Sequence, residues 1–335
     1  MAATIIEVAK LAGVSPATVS RAFGKPDLLS ERTRGAVLAA AERLGYTPNR
    51  AAKGLVTGKT GNIGILLPDI VNPFYPPVVK GATDRAAAAD LSVFLATTEL
   101  DPRRELTVAR EMAKQVDGLV LCATELRDDE VAELAAQCAV VLVNGEKPQL
   151  PSVVVDTGPG MLEAVEHLAE LGHSRFDYLS GPATSWSNER RMSFLRRQAD
   201  RLGLRVEVRG PFSPSYDAGT VAADEVLASG ASAVIAFDDQ MALGVLSRLH
   251  ELGIDVPGQV SVIGCDDVLP VGMARPALTT VKAPCARLGR AAVEVLLGGA
   301  TEVRQQSYQG NLVIRDSTGP AVRRRPRGHA APRPA

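Results

Sequence analysis

The chain has 335 residues, 46% of them hydrophobic and 4% aromatic, with a formal net charge of −1. That length holds more than one globular domain, and no apolar run approaches the ~18 residues of a membrane span. The charge is unevenly placed: residues 1–60 carry nine Lys and Arg against four acids, residues 321–335 carry five Arg and no acid, and residues 61–320 hold a net −11. A basic head on an acidic body fits a polyanion bound at one end only.

The segment Thr4 to Phe23 reads as a helix-turn-helix. Thr4 caps a first helix with Glu7 completing a capping box, and Ile5, Val8, Ala9 and Ala12 recur at helical spacing. Gly13 permits the sharp turn, Ser15 is the next N-cap, and Pro16 suits the first helical position. Val14, Val19 and Ala22 then face inward, leaving Pro16, Ala17, Thr18, Ser20 and Arg21 outward for base edges and phosphates. A third helix over 31–44, capped by Ser30 and ended by Gly45, closes a small core through Val37, Leu38, Ala41 and Leu44. From Asn49 a short helix through Val56 is predicted, too short to be stable alone and therefore ordered by a partner.

From Ile63 short apolar runs alternate with helical periods: IGILLP, 74–90, SVFLAT, 102–115, GLVLCA, 128–137 and AVVLVN. A second series starts at SVVVD near Val153 and continues with helix 158–171, strand 176–180, helix 187–202, strand 204–208, helix 217–229, AVIAF, helix 239–252 and VSVIG. The fold class is therefore α/β: an all-α helix-turn-helix head and a body of two parallel sheets covered by helices. Two sheets in tandem, joined near 157–160, place a ligand cleft at the carboxyl ends of the strands. Strand-end candidates for that cleft are Phe74, Tyr75, Asn144, Ser185, Trp186, Ser187, Arg191, Asp238, Asp239, Asp266 and Asp267. Arg191 offers a fork for a carboxylate, a phosphate or paired hydroxyls, and the aspartates accept from hydroxyls or ring nitrogens. Asp239, just before QMALG, is the better candidate for a structural helix cap.

Reaction chemistry finds no footing. There is no G-x-S-x-G, P-loop, G-x-G-x-x-G after a strand, or H-E-x-x-H. His167 and His173 read as packing between lobes or as exposed, and the four cysteines (Cys122, Cys138, Cys265, Cys285) as reduced core residues of a cytosolic protein. Neither metal nor cofactor is expected, and no enzyme activity. The start lacks the layout of a signal peptide, so a cytoplasmic, nucleoid-associated protein is expected.

AGVSPATVSR, GYTPNRAAKGL and GNIGILLPDIVNPFY, in this order and spacing, resemble the LacI/GalR family of bacterial transcriptional regulators over residues 4 to about 318. The resemblance implies a hinge helix that folds on a pseudo-palindromic operator, with Leu55 wedged into the minor groove. The implied DNA-facing set is Thr4, Ser15, Pro16, Ala17, Thr18, Ser20, Arg21, Asn49, Ala52 and Leu55. It also implies a two-lobed, periplasmic-binding-protein-like body whose chain crosses between lobes three times. The first lobe is about 61–157 with 284–306, the second about 158–283 with 307–318, and 319–335 form a disordered tail; 1–48 are the DNA-binding domain and 49–60 the hinge. SNERRMSF and GCDD match the segments that hold the family's effector, which raises Arg191 and Asp266, with Asn144 and Phe74. The effector set is Phe74, Tyr75, Asn144, Ser187, Arg191, Phe212, Asp238 and Asp266. Ser193 departs from the family's usual glycine, and GPFSPSYDAG carries about two extra residues, so Phe212 stands with Pro214 and Tyr216 as counterpart of a stacking aromatic. The expected partners are operator DNA, a small sugar-like or nucleobase-like effector and a second copy of the chain in a dimer, with a tetramer open and no membrane. The rival reading is a solute-binding protein feeding a transporter, which would need a signal peptide and no basic head.

Overall fold

Helix α1 (Ile5–Ala12) begins where Thr4 and Glu7 exchange hydrogen bonds: Thr4 N donates to Glu7 Oε2 at 2.8 Å, and Glu7 N to Thr4 Oγ1 at 3.4 Å. It ends at Gly13, whose φ of 67° lies in the left-handed region that a side chain would strain. Ser15 caps α2 (Pro16–Gly24) by accepting from Thr18 N, and Ser30 caps α3 (Glu31–Leu44) in the same way through Thr33 N. Val8, Ala9, Val19, Ala22, Val37, Ala40 and Ala41 form the buried core of these helices. Leu38 and Leu44, read from the sequence as core, are exposed instead, and Ala40 takes their place.

The computed structural model describes residues 3–47, 58–298 and 305–321. It divides into two compact units, Met1–Gly61 and Asn62–Ala335. The hinge positions Asn49, Ala52 and Leu55 lie outside the described residues.

In the second unit the alternating runs become two six-stranded sheets. The first contains β1 (Asn62–Leu67), β2 (Ser92–Thr97), β3 (Gly118–Cys122), β4 (Ala139–Val143), β5 (Ser152–Asp156) and a late strand β11 (Gln305–Gln309). Their order is β11-β5-β4-β3-β1-β2, and every pairing is parallel. The second contains β6 (Arg175–Leu179), β7 (Arg205–Arg209), β8 (Ala233–Ala236), β9 (Ser261–Asp266), β10 (Thr279–Lys282) and β12 (Asn311–Val313), in the order β12-β10-β9-β8-β6-β7. It is parallel except for β10 with β12. Two readings are corrected. SVVVD opens no second series but is β5 of the first sheet, and residues 307–309 belong to β11 of that sheet rather than to the second lobe.

Helices cover both faces of each sheet. On the first sheet α4 (Tyr75–Ala87) and α11 (Cys285–Leu297) share one core, and α5 (Pro102–Ala113) and α6 (Asp128–Ala135) the other. On the second, α7 (Gly158–Glu170) and α8 (Trp186–Leu202) lie on one face, α9 (Tyr216–Ser229) and α10 (Asp239–Glu251) on the other. Two helix crossings are made by glycine. A Cβ built on Gly81 of α4 would lie 1.9 Å from Ala286 O, and one on Gly289 of α11 1.8 Å from Val78 O. Gly219 of α9 and Gly244 of α10 repeat the device, at 2.2 Å from Met241 O and 2.1 Å from Tyr216 O.

The chain passes between the sheets after β5, after β10 and after β11, and the three passages lie side by side. Gly310 N donates to Asp156 O at 2.9 Å, and Gly160 N donates to Gly310 O at 3.1 Å. A Cβ on Gly310 would come within 3.0 Å of Lys282 O.

The C-terminal stretch is tied down further than a tail starting at 319 allows. Ala321 N donates to Leu171 O at 2.9 Å, and Gly319 N to Ser261 Oγ at 3.1 Å. Buried His173 completes this knot. Its Nδ1 lies 2.8 Å from Ser232 Oγ, and its Nε2 3.1 Å from Gly319 O and 3.2 Å from Ser261 Oγ. A carbonyl only accepts, so Nε2 carries the proton and Nδ1 accepts from Ser232. His167 similarly meets Thr318 Oγ1 at 2.9 Å, so both histidines hold the C-terminal segment on the second sheet rather than packing between lobes. Residues 322–335 lie outside the described residues.

Burial lowers the His173 pKa below its ordinary 6.5. The unfolded chain thus takes up the proton first as pH falls. The stability this site contributes is complete above about pH 6.5 and is lost as pH drops through the lower, folded-state value. Thermal unfolding between pH 7.5 and 5 is expected to show a midpoint that falls with acidification, with a visibly shallower slope for His173→Asn. Identical slopes would remove the histidine from this role.

Candidate functional site

On α2 the structure exposes Ser15, Pro16, Ala17, Ser20 and Arg21, with Thr18 half-buried, while Val19 and Ala22 point into the core. The Ser15 hydroxyl is committed to its cap and lies 3.0 Å from Thr18 Oγ1. Thr4 is likewise occupied by Glu7, through its backbone N–H and its hydroxyl. The freely presented groups of this face are therefore the small surfaces of Pro16 and Ala17, the Ser20 hydroxyl and the Arg21 guanidinium.

The cleft candidates gather at the carboxyl ends of the strands of both sheets, as open parallel sheets require. Arg191, on α8, is 4% exposed, and Asp266, the last residue of β9, is 5% exposed. Arg191 Nη2 donates to Asp266 Oδ1 at 3.2 Å, and its Nη1 donates to Phe237 O. The guanidinium stacks on the Phe237 ring, 4.7 Å from the centroid, and its buried Nε has no hydrogen-bond partner. Ser187 stands one turn earlier on the same face of α8, half-buried. Asp266 has φ of 113° and Asp267 54°, and Asn144 and Ala123, after β4 and β3, also take positive φ. Backbone strain of this kind, repeated at the ends of three strands, is typical of ligand clamps.

Asp238 is the N-cap of α10, with Oδ1 accepting from Met241 N at 2.9 Å. Asp239 was the expected cap but is the first residue of the helix. Its carboxylate accepts from Thr280 Oγ1 at 2.6 Å and Val268 N at 3.2 Å. Burial raises the pKa of both, and the nearby Asp266 charge raises Asp239 further. Burial also pushes Asp266 up to about 7, against the pull of Arg191.

From the first sheet, Tyr75 enters this group: burial, then the charges of Cys122, Asp266, Asp238 and Asp69, hold its phenol well above the usual value. Phe74 is core, buried under the first sheet and edge-on to Tyr75 at 5.2 Å between centroids. Asn144 is also turned to structure, its Oδ1 accepting from Val155 N at 2.9 Å to clip β4 to β5. Phe212, half-buried, packs on the α9/α10 core and donates its N–H to Ser180 O just beyond β6. Tyr75, Arg191, Asp238 and Asp266 thus come together, whereas Phe74, Asn144 and Phe212 are spent on core packing and backbone contacts.

Sequence reasoning passed over three cleft residues. Asn72 Nδ2 reaches Asp238 Oδ2 at 3.4 Å from the other sheet, while its Oδ1 accepts from Phe74 N at 2.9 Å. Glu125 accepts from Thr184 Oγ1 across the same gap. Asn188 shapes the loop after β6, accepting from Tyr178 Oη at 2.9 Å and Gly181 N at 3.1 Å. The Asn-Pro step at Asn72 was a usable turn signal; the others left none.

Comparison with known proteins points one way. Residues 4–49 match the model for bacterial regulatory proteins of the lacI family, and residues 165–318 that for a periplasmic binding protein-like domain. Catabolite control protein A of Priestia megaterium is 32% identical over 307 residues, covering 88% of this chain and 92% of its own. The Lac repressor dimer bound to operator and the anti-inducer ONPF superposes with a TM-score of 0.86 at 28% identity, covering 95% of this chain and all of the repressor's. The transcriptional regulator CelR in complex with cellobiose gives a TM-score of 0.68 at 29% identity, covering 94% of this chain and 99% of its own.

Proposed function

The chain belongs to the LacI family of bacterial regulatory proteins, and from that premise we propose that it is a sequence-specific, DNA-binding repressor governed by a small effector held between its two sheets. What carries the reading is the presence in one chain of an exposed reading face on α2 and a buried, strained polar cleft in the body. The first is an output and the second an input. Allostery is then a coupling free energy between them: a ligand that prefers one arrangement of the lobes shifts operator affinity by that preference.

A sugar or sugar derivative suits the cleft, which sets carboxylate acceptors, a guanidinium and a phenol around one space. CelR, a relative in fold, takes cellobiose in the same architecture. The reading is of binding rather than reaction, because the adjacent Asp238 and Asp239 serve different partners instead of flanking one bond. A second copy of the chain completes a pseudo-palindromic site, as in the Lac repressor dimer. The helices 75–87 and 285–297 are our candidates for its contacts. No helix among the described residues is long and apolar enough to cross a membrane.

Operator binding by fluorescence anisotropy tests the output end. Leu55→Ala is expected to weaken specific operator binding at least tenfold and leave effector affinity within twofold, because only the wedge at the operator centre is lost. Arg21→Ala is expected to cost about 1–3 kcal/mol on the operator and much less on unrelated DNA. Equal losses on both DNAs would make Arg21 a phosphate contact, and an unchanged Leu55→Ala protein would remove the hinge from the mechanism.

A further inference from the structure

The cleft is oversupplied with carboxylates. Asp238, Asp239 and Asp266 are each at most 5% exposed on the second sheet, and from the first sheet come Asp69 and Glu125. Against these stands Arg191, the only buried Arg or Lys among the described residues. Its charge is already answered by Asp266 and by the Phe237 carbonyl. The next cations are elsewhere engaged: Arg190 is partly exposed over Trp186 and 3.9 Å from Asp156, while Lys282 and Arg315 both pair with Asp267.

A ligand entering this space meets carboxylates that already hold donors but keep lone pairs for more, beside Arg191, whose buried Nε has no partner. Hydroxyl and amine groups supply both donors and a lone pair. A phosphate or carboxylate brings acceptors only, and sets a new negative charge among buried carboxylates without a free cation to answer it. Resting on the cleft as the effector site, we propose that it selects an uncharged or amine-bearing polyhydroxy ligand and rejects the phosphorylated or carboxylated forms of the same molecule. The effector is thereby a transported or dephosphorylated metabolite, sensed ahead of phosphorylation or oxidation to an acid.

The test is a thermal-shift titration of the full chain with matched probes: ribose and ribose 5-phosphate; glucose, glucosamine, glucose 6-phosphate and glucuronate; adenosine and its 5′-monophosphate. Orthophosphate is run beside them against chloride at equal ionic strength. Within any pair that stabilises the protein, the uncharged or aminated member is expected to bind at least tenfold more tightly than the anionic one. Orthophosphate is expected to give wild-type protein no saturable shift. Asp266→Asn, which frees the Arg191 charge while keeping the side-chain shape, is expected to gain one; Asp238→Asn is the second variant should the first fail to fold. Saturable stabilisation of wild-type protein by phosphate or an anionic pair member, abolished by Arg191→Ala, would overturn the charge selection alone. Failure of both Asn variants to gain phosphate binding would also overturn it. A neutral ligand bound equally by wild type and Arg191→Ala would instead overturn the cleft as the effector site.

Discussion

Arg191→Ala is expected to lower effector affinity at least 100-fold and to destabilise the body by about 3 kcal/mol. The guanidinium holds Asp266, the Phe237 carbonyl and the Phe237 ring at once, so its removal strands a carboxylate that is 5% exposed. Breaking a buried pair costs about 3–5 kcal/mol when the survivor stays charged. Asp266 can partly escape that cost by keeping its proton, since burial already pushes it up to about 7, which favours the lower figure. The sign of the pH dependence follows. A carboxyl raised in the folded state loses stability as pH climbs from its unfolded value through its folded one. Without Arg191 the folded value moves higher still, so the gap between variant and wild type should widen from pH 6 to pH 9. Denaturant unfolding across that range, with calorimetric effector titration, reads both effects; a constant gap would show that Asp266 is not the group left behind. Arg191→Lys should recover little, because a point charge cannot reach the carbonyl and the carboxylate as the planar fork does.

The second large effect belongs to a position with no side chain. Gly81→Ala and Gly289→Ala each drive a Cβ to within 2 Å of a backbone carbonyl on the partner helix, at Ala286 and Val78. Neither carbonyl can swing aside as a flexible side chain would, so α4 and α11 must separate along the crossing. Overpacking costs typically ~1–3 kcal/mol, and a backbone clash belongs at or above the top of that range. A midpoint lowered by roughly 6 °C or more is expected for each. Gly145→Ala is the contrast: open space surrounds its position, and its midpoint should move within about 1–2 °C. If Gly81→Ala unfolds with the wild type, the crossing is looser than its geometry.

The head and the alternation of the body were legible because their signals are local. Thr4, Gly13, Ser15 and Gly45 cap or break helices within four residues of their own position, and the apolar runs of β1 to β9 carry their period with them. The last strands carried no such signal. QQSYQ alternates half-buried with exposed positions, contains one large apolar ring, and pairs with residues about 150 positions earlier. The site divides along the same line. Arg191, Asp238 and Asp266 announce themselves at strand ends, whereas Asn72 matters through Asp238, 166 residues away, and Glu125 through Thr184 on the facing sheet. Asp239 was misjudged by one residue, because Asp-Asp before a helix offers two caps and only the backbone angles choose between them.

The three side-by-side passages around Gly310 have a mechanical consequence. Adjacent crossings define one line, and hydrogen bonds from Gly310 to Asp156 and from Gly160 to Gly310 tie the passages together along it. If the proposed effector turns the lobes about that line, displacement grows in proportion to distance from it. Asn62 opens β1 a strand's length, roughly 17 Å, beyond the cleft end of the first sheet. A turn of about 5° at the joint thus carries Asn62 about 1.5 Å farther than it carries the cleft wall. In the proposed response a small tilt at the joint suffices, since the length of the lever does the amplification.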